Sequence, residues 1–158
     1  MKIVLLVVGK TNNQHLHSLI NEYQQRLKHY NIGFDVNVIP DIKNAKNLSE
    51  KQQKYNEGQL IMKNVAQTDF VVLLDEHGKD YSSVRFSEWI SHKMICAVKR
   101  IVFIIGGSYG FDEYVYKRAN DLISLSKMTF SHQMVRLIFI EQLYRAMTIL
   151  NNEPYHHE

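Results

Sequence analysis

The chain has a single cysteine, Cys96, in its 158 residues. An intramolecular disulfide is therefore excluded, and so is any metal centre built on several thiolates. Cys96 itself is expected to be a small buried hydrophobe on a helix. Long apolar runs are missing too. The first run, Ile3 to Val8, stops at Gly9-Lys10. That is too short for a secretory signal with its cleavage site. No stretch approaches the ~18 apolar residues of a membrane span. The expected location is the cytoplasm, with no membrane partner. Charge of one sign is scarce: 19 Lys+Arg against 16 Asp+Glu leave a net +3. The excess is spread over both halves, so it permits a nucleic-acid partner without pointing to one. Histidine is plentiful at eight residues, but no pair has the His-x-x-x-His spacing of a zinc helix. No metal is expected. Repeats, low-complexity tracts and linkers are also lacking, and residues 1–158 are expected to form a single domain.

Hydrophobic residues make up 45% of the chain, enough for a packed core. They fall into two patterns. Lys2–Val8, Asp69–Leu74, Arg100–Ile105 and the short Leu122–Leu125 are near-continuous apolar runs, as in strands buried on both faces. Phe34–Ile39 alternates apolar and polar residues, as in a half-exposed or edge strand, and Pro40 closes it. Between these runs, apolar residues recur at three- and four-residue steps. The spacing predicts helices over Asn12–Tyr30, from Ser49-Glu50 to about Gln67, from Ser82 or Ser83 to about Val98, over Phe111–Asn120, and from a Ser131 cap to about Leu150. Asn151 to Glu158 form a tail. Five alternations of strand and helix predict an α/β fold: a mostly parallel sheet with helices on both faces.

Only seven glycines are present, and three of them form Gly106-Gly107-Ser108-Tyr109-Gly110 after a predicted core strand. In open α/β sheets, ligands bind beyond the carboxyl ends of strands, where glycine lets the backbone come close. The bland alternative is turn chemistry alone. The spacing is not the dinucleotide fingerprint, and it lacks the Gly-Lys-Ser/Thr of a P-loop. A second short loop, Leu125-Ser126-Lys127-Met128-Thr129-Phe130, precedes the last helix. Its backbone could bind an adenine edge or a carboxylate. From Met134 to Ile140 that helix is apolar all round except for Arg136, which implies burial on every side and a subunit interface. His132 and Arg136 share a face and are candidates for a pocket-mouth phosphate contact, or simply for a polar first turn. Glu141 and Arg145 are spaced for a structural ion pair.

Together these segments resemble one family. They are Phe103 to Gly110, Leu125 to Arg136, Ile140-Glu141-Gln142-Leu143-Tyr144-Arg145-Ala146 and Tyr155-His156. The chain is similar over its whole length to the ribosomal RNA large subunit methyltransferase H family, within the SPOUT superfamily. The resemblance implies a C-terminal trefoil knot, a homodimer, and S-adenosylmethionine as methyl donor. The implied acceptor is N3 of a pseudouridine in large-subunit (23S) ribosomal RNA, within the assembled ribosome. Implied cofactor contacts are Leu74, Gly106 and Leu125 through Phe130, with Gly107 and Gly110 shaping the loop. Tyr155 and His156 of a partner's tail are first candidates to assist proton removal, and His132 the next. RNA contacts would come from Arg136 and from His157. Family tails resemble Tyr-His followed by Arg or Lys, so His157 is a departure that weakens the basic contact. Two other readings stay open. One is a non-enzymatic ribosome-binding module of the same fold, and the other is an unrelated nucleotide enzyme with a similar glycine loop.

Overall fold

A computed structural model describes residues 1–157. Five strands alternate with five α-helices: β1 (Lys2–Val8), α1 (Gln14–Leu27), β2 (Gly33–Ile39), α2 (Glu50–Lys63), β3 (Phe70–Asp80), α3 (Ser83–Ile95), β4 (Arg100–Ile105), α4 (Glu113–Arg118), β5 (Asp121–Ser124) and α5 (Met134–Leu150). The expected order is thus present, with most helices shorter than the periodicity predicts. Side-chain caps set several starts. Asn13 accepts from the His15 and Leu16 amides, Ser82 accepts from Arg85, and Ser49 forms a reciprocal box with Gln52. Each such cap contributes about 1 kcal/mol.

The strands form one parallel sheet in the order β2-β1-β4-β3-β5. Alternate residues serve opposite faces. Ile3, Leu5 and Val7 join Phe103, Phe86 and Phe139 under α1, α3 and α5, whereas Val4, Leu6 and Val8 join Ile61 and Val115 under α2 and α4. The last helix lies between α1 and α3 on the sheet. Three of its sides are covered within the chain, which accounts for most of its all-round apolar character.

Two expectations need correction. β3 does not end at Leu74 but continues to Asp80, and both Leu74 and Lys79 face Ile123 of β5. The four residues between them bulge out, and the backbone returns at Gly78. A β-carbon there would lie 2.6 Å from Ile123 N and Leu122 C, so only glycine fits. Cys96 is exposed, not buried, because it caps the end of α3. No helix among the described residues is long and apolar enough to cross a membrane.

The Phe103 and Phe139 rings meet at 4.6 Å between centroids, both without solvent exposure, and fasten α5 to the middle of the sheet. Phe139→Ala is expected to cost about 3–5 kcal/mol. The drop is read as a lower urea midpoint with an unchanged slope.

Candidate functional site

A cavity of about 760 Å³ opens at the carboxyl ends of β3, β4 and β5. The helices that follow β3 and β4 leave toward opposite faces of the sheet, and this divergence opens the crevice. Leu74 to His77 form one wall, Ile105 to Phe111 a second, and Leu125, Ser126 and Met128 through His132 a third. Val135 of α5 adds an apolar patch.

The glycine loop is shaped by close approach and by one unusual torsion. A β-carbon on Gly107 would lie 2.5 Å from the carboxylate of Glu57, which is buried on α2. Gly106 packs against the Phe111 ring. Gly110 has open space but a φ of +76°, the left-handed region where only glycine is unstrained. Its N–H donates to the Gly107 carbonyl at 3.2 Å and closes the turn.

The Leu125–Phe130 loop is stitched to the bulge of β3. Thr129 Oγ1 donates to Glu76 Oε2 at 2.8 Å, and Lys127 Nζ lies 2.9 Å from Asp80 Oδ2. Inside the loop, the Met128 amide donates to Ser126 Oγ at 2.9 Å. Ser131 caps the turn into α5, where its hydroxyl accepts from the Met134 amide at 3.1 Å.

One cluster on the cavity wall had no signature in the sequence. Tyr116 of α4 donates its hydroxyl to Asp75 Oδ2 at 2.5 Å. Asp75 Oδ1 accepts from the His77 amide and lies 2.9 Å from His77 Nδ1. Burial pushes the Asp75 carboxyl up, but the bonds from Tyr116 and His77 outweigh it, and the group titrates below the ordinary carboxylate range. Burial, then the hydrogen bond to Asp75 and its charge, pushes the Tyr116 phenol well above its ordinary value. An acid just past an apolar run and a tyrosine 41 residues later carry no mutual spacing signal.

Apart from Arg136, the predicted site residues divide into three groups. Leu74, Gly106, Gly107, Gly110, Leu125, Ser126, Met128, Thr129, Phe130 and His132 line this one cavity. Lys127 stands outside it, turned to Asp80. Tyr155, His156 and His157 do not reach it. The tail folds back along its own α5: Tyr155 Oη donates to Glu141 Oε1 at 3.1 Å, its ring packs on Tyr144, and His156 Nδ1 is 3.5 Å from Arg145. The Glu141–Arg145 ion pair is present at 2.5 Å. Arg145 follows Val135, the last cavity residue, by ten positions, about 15 Å along the helix.

Arg136 is a correction. Its expected phosphate contact is ruled out by burial: it is 1% exposed. Nη2 donates to Val8 O at 2.7 Å, Nη1 to Gly9 O at 2.9 Å and Thr11 Oγ1 at 3.0 Å, and Nε to His132 O at 2.9 Å. Burial lowers its pKa, and the nearby Asp41 charge offsets part of that. The arginine therefore ties the end of β1 to the start of α5. Gln133 repeats the tie by accepting from the Asn12 amide and donating to Lys10 O.

The cavity falls within the size range of small-molecule sites and combines apolar wall from Leu74, Ile105, Phe111, Leu125 and Val135 with a similar share of polar wall. Glycine backbone on one side and a short loop on the other suit the ring and sugar of a nucleoside. No cluster of three or more metal-ligating side chains occurs among the described residues. Fold and cavity thus define a class, an α/β protein with a nucleoside-sized pocket beyond the ends of its parallel strands. Residues 1–156 match the family model described as "Predicted SPOUT methyltransferase". Three proteins called "Ribosomal RNA large subunit methyltransferase H" are similar over the full length of both chains. They come from Parabacteroides distasonis (63% identical), Phocaeicola vulgatus (62%) and Flavobacterium johnsoniae (60%). The chain belongs to the ribosomal RNA large subunit methyltransferase H family of the SPOUT superfamily.

Arg136→Met should cost about 3 kcal/mol or more, because the Val8 and Gly9 carbonyls would be left buried without donors. Chemical denaturation reads this loss. Gly110→Ala, which meets no atom, should cost only about 1–2 kcal/mol from its left-handed torsion.

Proposed function

We propose that the chain methylates N3 of a pseudouridine in large-subunit ribosomal RNA, using S-adenosylmethionine, as a homodimer acting on the assembled ribosome in the cytoplasm. The observation that carries this reading is the convergence of Leu74, the glycine loop and the Leu125–Phe130 loop on one cavity. The full-length likeness to proteins named as large-subunit ribosomal RNA methyltransferases supports methyl transfer to that RNA.

Bound there, the cofactor supplies an electrophilic methyl on a sulfonium. Leu74, Leu125 and Phe130 offer apolar contact, and Gly106 and Gly107 let the backbone close on the ligand. N3 would give up its proton to an imidazole of the protein and accept the methyl, leaving an uncharged thioether to depart. Holding donor and acceptor in line supplies most of the acceleration.

The tail of a partner subunit completes the site. Its placement supports this, since Tyr155 and His156 lie off the cavity of their own chain. Burial, then the hydrogen bond with Tyr23 and the charge of Glu141, pushes the Tyr155 phenol well above its ordinary value. Tyr155 is thus a hydrogen-bond donor that positions, and His156 is the proton acceptor, with His132 on the cavity wall as the other imidazole. His157 is exposed and free to meet RNA. Apolar surface left open on one side supports the dimer: Met128 is 77% exposed, Met134 and Phe130 are also exposed, and Leu137 and Ile138 are half-buried. Membership of the SPOUT superfamily supports a C-terminal trefoil knot.

Deleting residues 153–158 should lower methyl incorporation into ribosomes by about 10²-fold or more. Cofactor binding by calorimetry should stay within about twofold. Unchanged transfer would remove the tail from the mechanism. Co-expressing that truncated chain with a Gly107→Trp chain should restore transfer, because one hybrid site has both an open cavity and a tail. Mass-spectrometric mapping of ribosomal RNA from cells lacking the chain, with and without complementation, tests the nucleotide itself. No missing methyl there, together with cofactor-free protein, would favour a non-enzymatic ribosome-binding role.

A further inference from the structure

The charged groups on the cavity wall are unevenly balanced. Glu50, Asp75 and Glu76 supply carboxylates, Lys54 is the single ammonium, and His77 and His132 are the imidazoles. Glu50 and Glu76 are exposed, so water and salt screen them. Asp75 differs, with a side chain only 9% exposed. It directly follows Leu74, and Ile105, Phe111, Leu125 and Val135 make apolar wall around the same space. In such surroundings a fixed charge acts far more strongly than in water. Tyr116 and His77 hold both of its oxygens, so the carboxylate is oriented before any ligand arrives.

Methyl transfer changes the charge of the cofactor by one unit. The donor carries a sulfonium. Once the methyl has gone to nitrogen and the proton to a base, an uncharged thioether remains. We propose that Asp75, fixed by Tyr116 and His77, makes the cavity prefer the sulfonium donor over its thioether product, and is thereby a specificity-determining residue for turnover. This rests on the cofactor reading above. The preference helps product leave and donor replace it. Asp75 exerts it through its charge and need not touch the reacting methyl.

Calorimetry on the full-length chain tests this with three probes. They are S-adenosylmethionine, S-adenosylhomocysteine, and sinefungin, in which a protonated amine stands at the sulfonium position. Both cations should bind about tenfold more tightly than the thioether. In Asp75→Asn that advantage should fall to about threefold or less, mainly by weaker binding of the cations. Glu76→Gln should keep it, since that carboxylate is exposed. Equal binding of all three probes to the parent chain overturns the proposal, and so does an Asn variant that weakens all three alike. The parent comparison decides if Asp75→Asn fails to fold. Tyr116→Phe, which keeps the charge, should shift the ratio by less than about threefold. If no probe binds the parent, the cofactor reading itself fails, a result distinct from a cofactor site with no charge preference.

Discussion

The architecture depends on one buried arginine. Arg136 spends four hydrogen bonds on the Val8 and Gly9 carbonyls, Thr11 and the His132 carbonyl, and it joins the first strand to the last helix. A charge this deeply buried is tolerated only because carbonyl dipoles replace its water. The consequence is geometric. With its first turn held against the end of β1, α5 must run down the middle of the sheet between α1 and α3. His132 and Val135 are then delivered to the cavity wall, and Phe139 to the stack with Phe103. An element far along the chain is thus registered on its first strand by polar bonds, and the apolar contacts follow.

A second constraint assembles the cavity. Gly78 lets the β3 bulge lie directly on the β5 backbone, and Glu76 and Asp80 then hold Thr129 and Lys127. Lys127 holds the loop after β5 from outside the cavity, whereas Thr129 and Glu76 meet on the cavity wall. Both strap contacts are solvent-exposed and worth little singly, so the loop is ordered without being rigid. The tail is held by a separate aromatic and ionic cluster with Tyr23, Tyr144, Glu141 and Arg145. Cavity and tail are therefore independent structures within one chain.

Much of this was legible in the residues. Buried strands read as apolar runs because both faces of a parallel sheet are covered. The glycine loop stood out because glycine is scarce here. The Leu125–Phe130 loop was legible because it stands between a core strand and a long apolar helix. Arg136 misled: an arginine near a polar first turn looks like a phosphate contact, and nothing local shows that two carbonyls about 130 residues away will claim it. The β3 bulge was missed for a similar reason, since Asp75 to Lys79 is polar and reads as a loop. Asp75 with Tyr116, and Cys96 at the exposed end of α3, were likewise outside the reach of periodicity.

What the sequence determined alone was the order and type of the elements, the half-exposed or edge character of β2 and the strand-end loops, which follow from local pattern: periodicity, caps and the rarity of glycine. The family came instead from the likeness of whole motifs, Gly106 to Gly110 and Leu125 to Arg136 among them. Tertiary structure decided which charges are buried, which side chains share the cavity, and that the tail lies off it. Those outcomes hang on contacts between residues distant in the chain, where burial turns an ordinary Arg136 into a clamp and an ordinary Asp75 into a fixed charge. Burial is a property of the packed whole, and no short stretch of residues encodes it.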